Sequence, residues 1–390
     1  MDKLQMDKLK HEYEEANRYY KGVYSVKDLG IAIPRHLSSL QISVGWAKIG
    51  VDKFCDRIIP IRFDKKSLLK NLRKTVNEAV ENAVIYGIGY LVVYEDRDQW
   101  RVRVGHPFFS FADLNPLTRE VDIYYEYTKN ESQFLVSAEG MCLYTSGDLV
   151  VQRGMHVFPI VHKQTAIDIF GQSRITRPVR DLIDSAVRAL GRSDISAEFY
   201  SFPQAVLLGA DIDYLSDEEV KENVKGFVAG IGRMLALPAN EETGVVPELR
   251  QLVQQSFAPY SEHIGQLARL CAAELNIDAK ELGIYETNPT SAEALYASKE
   301  DIVLECTDFE DDNETAILGA INALIEGNKL DTEPELVWAP PATPSPASKA
   351  DAFSKLVTAI PALALCKSGL RLAGLDERTV DEIAGELYGD

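Results

Sequence analysis

The spacing of apolar residues changes period twice along this chain, and those changes limit its fold more than any other feature. Leu68, Leu69, Leu72, Val76, Val80 and Ala83 recur every three or four residues, which is the repeat of one helix face. At Gly87 and Gly89 the pattern shortens. Tyr90–Tyr94 is a strand by composition, Glu95–Asp98 is a turn, and Trp100, Val102 and Val104 alternate with Arg101 and Arg103. Further strands are expected at Val121–Thr128, Gln133–Ala138, Met141–Thr145 and Val150–Arg153. The turns between them are short, so the β-rich block 87–163 is antiparallel. After Gly171-Gln172-Ser173 the helical period returns. The chain is therefore α+β.

On either side of the β block the helical signals are strong. Leu4, Leu9, Tyr13, Ala16 and Tyr20 mark a first helix, and 24–34 reads as a loop. Past the block, Pro178 suits a first helical turn, and Val179, Leu182, Ile183, Ala186, Val187 and Leu190 form one apolar face. The opposite side carries Arg177, Arg180, Arg188 and Arg192 within roughly a third of the helix circumference, with Asp184 among them. That arc is either a solvated face paired with acids of a neighbouring element or the lining of a charged interface or channel. A compact α/β insert follows over 203–255, with a strand at Ala205–Leu208, a capping box at Ser216-Asp217-Glu218-Glu219, and short strands near 234–237 and 245–246. A second long helix starts near Pro259, with Ile264, Leu267, Ala268, Cys271 and Leu275 inward. Residues 276–289 have loop character. Asn288-Pro289 and Thr290-Ser291-Ala292-Glu293 then give two overlapping helix-start signals. The helix that follows is long, and Asp311-Asp312-Asn313 interrupts its pattern, which predicts a kink or break. Five prolines over 331–347 read as a semi-rigid linker, and 348–390 as a small helical unit.

Catalytic and cofactor signatures are absent. No G-x-x-x-x-G-K-[ST] occurs, and Gly87-Ile88-Gly89 precedes a strand rather than a helix, so no phosphate cradle or cofactor is expected. His156 and His162 are separated by Pro159, which should break the strand between them. Asp308, Glu310 and Asp312 alternate as in a calcium loop but lack its glycine, so no metal site is expected. The five cysteines are odd in number and form no C-x-x-C, which fits a reducing compartment. The longest apolar stretch, 83–94, is too short to span a bilayer, and no membrane association is expected. The net charge of -19 argues against tight wrapping of nucleic acid through many phosphate contacts, because such proteins are usually basic.

A series of short motifs in order resembles the portal proteins of tailed double-stranded DNA bacteriophages, the siphophage type. Tyr19-Tyr20-Lys21-Gly22 with Leu29-Gly30-Ile31-Ala32-Ile33-Pro34 is similar to the family's N-terminal segment, and Val44-Gly45-Trp46 with Val51-Asp52 to its next helix. Pro159-Ile160-Val161 with Phe170-Gly171-Gln172-Ser173-Arg174-Ile175 resembles the entry to its first stem helix. Phe202-Pro203-Gln204, Leu207-Leu208-Gly209, Asn288–Ala294 and Ala350–Leu356 follow in register.

The resemblance implies a portal-type fold with a mixed α/β wing, a two-helix stem, a small α/β clip, a kinked long helix and a short helical crown. Mapped by order, 1–172 is wing, 173–201 the first stem helix, 202–257 clip, 258–275 the second stem helix and 276–290 the tunnel loop. Residues 291–330 return to the wing, 331–347 are a linker and 348–390 the crown. It implies a non-enzymatic homo-oligomeric ring of twelve subunits at a capsid vertex of the virion, made in the host bacterial cytoplasm, through which double-stranded DNA passes without sequence specificity. The implied partners are the large terminase subunit (the packaging ATPase), a head–tail adaptor, and the major capsid and scaffolding proteins. Lys280, Tyr285, Asn288 and Thr290 fall in the tunnel loop and are its candidate DNA contacts. Two other readings are another ring-forming head–tail connector or minor capsid protein, and a cytoplasmic metal-dependent hydrolase.

Overall fold

The computed structural model describes residues 3–23, 42–127 apart from 70 and 98, 133–137, 141–146, 149–200, 205–208, 248–251, 256–284, 300–342 and 346–366, with isolated positions elsewhere. Helices α1 (Lys3–Tyr20), α2 (Trp46–Cys55) and α3 (Leu72–Tyr86) precede a seven-stranded antiparallel sheet. Its strands are β2 (Ile88–Asp96), β3 (Gln99–Val104), β4 (Ser110–Leu114), β5 (Val121–Tyr127), β6 (Gln133–Ser137), β7 (Met141–Ser146) and β8 (Leu149–Val161), in the order β3-β2-β8-β7-β6-β5-β4. β1 (Pro60–Asp64) belongs to a separate pair. The long helix α4 (Arg177–Tyr200) follows. A short antiparallel pair then forms between β9 (Ala205–Leu208) and β10 (Glu248–Gln251). Helices α5 (Ala258–Glu274) and α6 (Glu300–Gly327), strand β11 (Pro334–Trp338) and helix α7 (Pro346–Ala359) complete the order.

The sequence-derived elements and the observed ones agree closely through the helices and most of the sheet. β2 explains why its segment lacked clean alternation. Leu91 and Val93 enter a core shared with α2, α3, α5 and α6, while Tyr90 and Val92 enter a second core with Phe111, Ala112 and Tyr124. A strand buried on both faces reads as a continuous apolar run. Gly87, at φ 94, ends α3 and turns the chain into β2. Two residues later Gly89 passes so close to α3 that a Cβ there would lie 2.2 Å from the Ala79 carbonyl oxygen. β4, Ser-Phe-Ala-Asp-Leu, is not among the expected strands: it is short, and of its five residues only Phe111 is a strong strand former. Expected elements at 24–34, 216–219, 234–237 and 288–299 lie outside the described residues, as does most of 203–255.

Four expectations are corrected. Pro159 does not break its strand: β8 runs unbroken for 13 residues, with Pro159 opposite Tyr90 of β2. β7 reaches Gly154, so among the described residues this stretch of β8 pairs with β2 on one side alone, where a residue without an N–H is tolerated. No break occurs at Asp311-Asp312-Asn313, and α6 is one continuous helix of 28 residues. Asp311 and Asp312 are exposed, and the buried Asn313 is satisfied by the backbone of β8. The front half of the linker is not a linker, because β11 pairs with β1. Pro334 stands at the first position of that strand, where proline is accepted, and ion pairs Arg62–Glu335, Lys65–Glu333 and Lys66–Asp331 fasten the two ends together. Finally, 276–284 is not a plain loop. It contains a 3-10 turn, Ala279–Leu282, whose Leu282 is buried.

Two asparagines fix α6 on the sheet. The Asn313 side chain accepts from the Val161 N–H (2.7 Å) and donates to the Val161 carbonyl (3.0 Å), as a neighbouring strand would. Asn328 does the same for Trp100 in β3, accepting from its N–H and donating to its carbonyl, both at 2.9 Å. The two anchors are about 22 Å apart along the helix, at 1.5 Å per residue. Asn313→Ala strands both buried polar groups of Val161. It is expected to lower unfolding free energy by about 2–4 kcal/mol in urea titrations, whereas Asn328→Ala, at a half-buried site, is expected to cost less.

Candidate functional site

Lys280, the basic residue of the predicted loop, occupies the 3-10 turn directly after α5. Asp278 caps that turn by accepting from the Lys280 N–H at 3.0 Å, and Gly283 ends it at φ 87. The turn is docked on α2 by the Lys53–Glu281 ion pair at 2.8 Å. Lys280 itself is half-buried. Tyr285, Asn288 and Thr290 lie outside the described residues.

The four arginines of α4 part company. Arg180 pairs with Glu15 of α1, and Asp184 accepts from the Tyr19 hydroxyl at 3.0 Å, so the N-terminal helix lies along this part of the arc. Arg177 is exposed and lies 3.8 Å from Asp181 of its own helix. Arg188 donates to Ser185 Oγ at 3.1 Å. Arg192 is exposed. Arg180 thus meets an acid of a neighbouring element.

A buried charged node at the base of the two long helices had no signal in the sequence beyond its place in the Phe170–Ile175 motif. Arg174, 5% exposed, precedes α4. Its Nε donates to the Gly50 carbonyl of α2 at 3.1 Å, and its Nη2 to the Leu275 carbonyl that caps α5. Its Nη1 lies 2.8 Å from Glu305 Oε1 of α6, and its guanidinium stacks over Phe54, 4.5 Å from the ring centre. A cation at a helix C-terminus is favoured by the helix dipole. Lys163 also reaches Glu305, at 2.5 Å. The Arg174 guanidinium and Lys163 ammonium outweigh burial and hold the Glu305 carboxyl down at about 2. Next to them His162 shares its Nδ1 proton with the Gln172 carbonyl at 2.6 Å, and burial pulls the ring down to about 4, so it is neutral at neutral pH. One arginine thus joins α2, the start of α4, the end of α5 and the start of α6.

The site has the character of a mechanical joint. Among the described residues no group of three or more His, Cys, Asp or Glu is placed to hold a metal ion. The buried cysteines Cys271 and Cys306 have thiols pushed up to about 12 by burial, which keeps them protonated and unreactive.

No family model matches the chain. A portal protein of Mycobacterium phage D29 is 23% identical over 405 residues, covering 90% of this chain and 81% of that protein. A portal protein of Mycobacterium phage L5 is 24% identical over 390 residues, covering 87% and 77%. Among solved structures, the neck of a native GTA particle aligns with a TM-score of 0.46 at 14% identity, covering 91% of this chain and 94% of that one. An HK97-family phage portal protein from Corynebacterium diphtheriae aligns with a TM-score of 0.34 at 13% identity, covering 78% and 100%. The chain is similar to phage portal proteins along most of its length, in agreement with the order of its motifs.

Proposed function

We propose that this chain is a ring-forming portal subunit at a capsid vertex, a conduit for DNA entering and leaving the head and a platform for the packaging motor and the head–tail adaptor. The observation that carries the reading is similarity to two portal proteins over 90% and 87% of the chain. In this reading the sheet and its flanking helices are the wing, α4 and α5 the stem, the β9–β10 region the clip, and α7 part of the crown. Twelve copies form the ring, which resides in the virion. The work of translocation belongs to a separate ATPase, and the chain itself catalyses nothing.

The node at Arg174 acquires a purpose in that arrangement. The two stem helices and the segment leading to the tunnel loop meet there, so load on the loop or stem passes into the wing through a rigid joint. Tyr285, Asn288 and Thr290 remain candidate DNA contacts, together with Lys280. The segment 276–290 holds one basic residue against Asp278, Glu281 and Glu286. Contact with DNA is therefore light and insensitive to sequence, and the net charge of -19 per subunit disfavours sticking to phosphate. Purified rings titrated with duplex DNA at physiological salt are expected to bind weakly and equally across sequences by fluorescence anisotropy. Tight, base-specific binding contradicts the conduit reading.

A further inference from the structure

Among the described residues, one stretch of the sheet has an edge with no strand paired to it. In an antiparallel pair, successive residues point their N–H and C=O alternately toward one neighbour and the other. His162 donates to Gly87, next to β2, whereas both backbone groups of Val161 meet Asn313 on the opposite side. Met155, Val157 and Pro159 share the phase of Val161, so their polar groups also face away from β2. β7 ends its pairing at Gly154. Asn313 therefore closes one end of this edge as a side-chain imitation of a strand, and among the described residues no strand pairs with Val157 or Pro159 on that side.

A groove runs along this edge. Its volume is about 620 Å³, and it is bounded by β8, by the turn leading into β5 and by α6 through Asp312, Thr315 and Ala316. Its charged lining, Glu120, Asp122 and Asp312 against Arg119, is net acidic. An open strand edge beside an apolar trough with an acidic lining is a receptor for an apolar segment that carries a basic end. The same chain carries such a segment among the residues outside the described structure. Leu29, Ile31 and Ile33 alternate with the small Gly30 and Ala32, Pro34 ends the run, and Arg35 follows.

We propose that the β8 groove is a socket for residues 29–35 of a second copy of this chain, added to the sheet as a strand with Arg35 meeting Asp122 and Asp312. The inference rests on the ring reading, since a closed ring needs a plug and a socket on every copy.

The test uses two full-length variants. Val157→Pro removes a donor that serves no bond to β2, and Pro159 already occupies the same phase two residues on. Ile33→Asp spoils the plug. By mass photometry, with thermal midpoints and far-UV circular dichroism as folding controls, the wild type is expected to form rings. Each variant is expected to stay folded and lose at least ten-fold in ring population. Mixing the two variants leaves one intact contact between unlike copies and is expected to yield dimers of about twice the 43.4 kDa chain mass, but no rings. Ala316→Trp, which fills the groove from α6 and leaves the residues of β8 unchanged, is expected to act like Val157→Pro should that variant fail to fold. Wild-type rings with undisturbed variants overturn the socket alone. Loss of thermal stability in both variants with no rescue on mixing shows the segment folding onto its own chain, and also overturns it. A wild type that never assembles overturns the ring reading and the socket with it.

Discussion

Replacing Arg174 with methionine is expected to lower unfolding free energy by about 3–5 kcal/mol, the cost of removing one member of a buried ion pair while leaving its partner in place. Methionine keeps much of the volume, so the loss is polar. Among the described residues Glu305 keeps the half-exposed Lys163 as its cationic partner, and the Gly50 and Leu275 carbonyls lose the bonds from the guanidinium. The pH dependence identifies the cause. Glu305 has an ordinary pKa of 4.5 and is held at about 2 in the folded chain. The unfolded state therefore binds more protons in that window, and the stability this carboxylate contributes is full above pH 4.5 and is lost as pH falls toward 2. The gap between wild type and Arg174→Met is expected to be widest at neutral pH and to narrow below pH 4.5. Denaturant titrations at pH 7 and pH 3.5 check this. A gap independent of pH means that packing around Phe54, and not the charge, carries the effect.

Gly89→Ala is expected to be nearly as damaging for a steric reason. Its backbone is ordinary for a strand, so no glycine-only conformation is at stake. The new Cβ lands 2.2 Å from the Ala79 carbonyl and 3.2 Å from the Ala83 nitrogen, both backbone atoms of α3 that no rotamer change can move. Relief requires α3 to shift off the sheet, pulling Val76, Ala79, Val80 and Ala83 out of the larger core. The expected loss is about 3 kcal/mol, at the top of the range for overpacking. Far-UV circular dichroism with a thermal melt measures it. A variant as stable as wild type shows that α3 moves freely against β2.

Much of this was legible from residue order, because helix faces and sheet alternation are local patterns. The arc of α4, the apolar face of α5 and six of the seven strands of the main sheet need only neighbours in sequence to be seen. The misses share one cause, a long-range partner that overrides a local signal. Asn313 reads as a helix breaker until β8 supplies its hydrogen bonds from 152 residues away. Pro334 reads as linker until β1 accepts it as the start of a paired strand. Pro159 reads as a strand breaker until its phase is seen, with its missing N–H on the side away from β2, where no described strand pairs. The candidate site divides the same way. Lys280 and the arginines of α4 stand out by type and spacing, whereas Arg174, Lys163 and Glu305 gain meaning only when three distant segments meet. Arg180 looked like one of four equivalent arginines, and its commitment to Glu15 depends on where α1 docks.

The central claim is assembly into a conduit, and end-on electron microscopy of the purified full-length chain tests it most directly. The account predicts closed rings with a central hole, of mass near twelve times 43.4 kDa. A protein that remains monomeric at high concentration and in the presence of capsid and scaffolding proteins, or that forms closed particles without an axial channel, contradicts it.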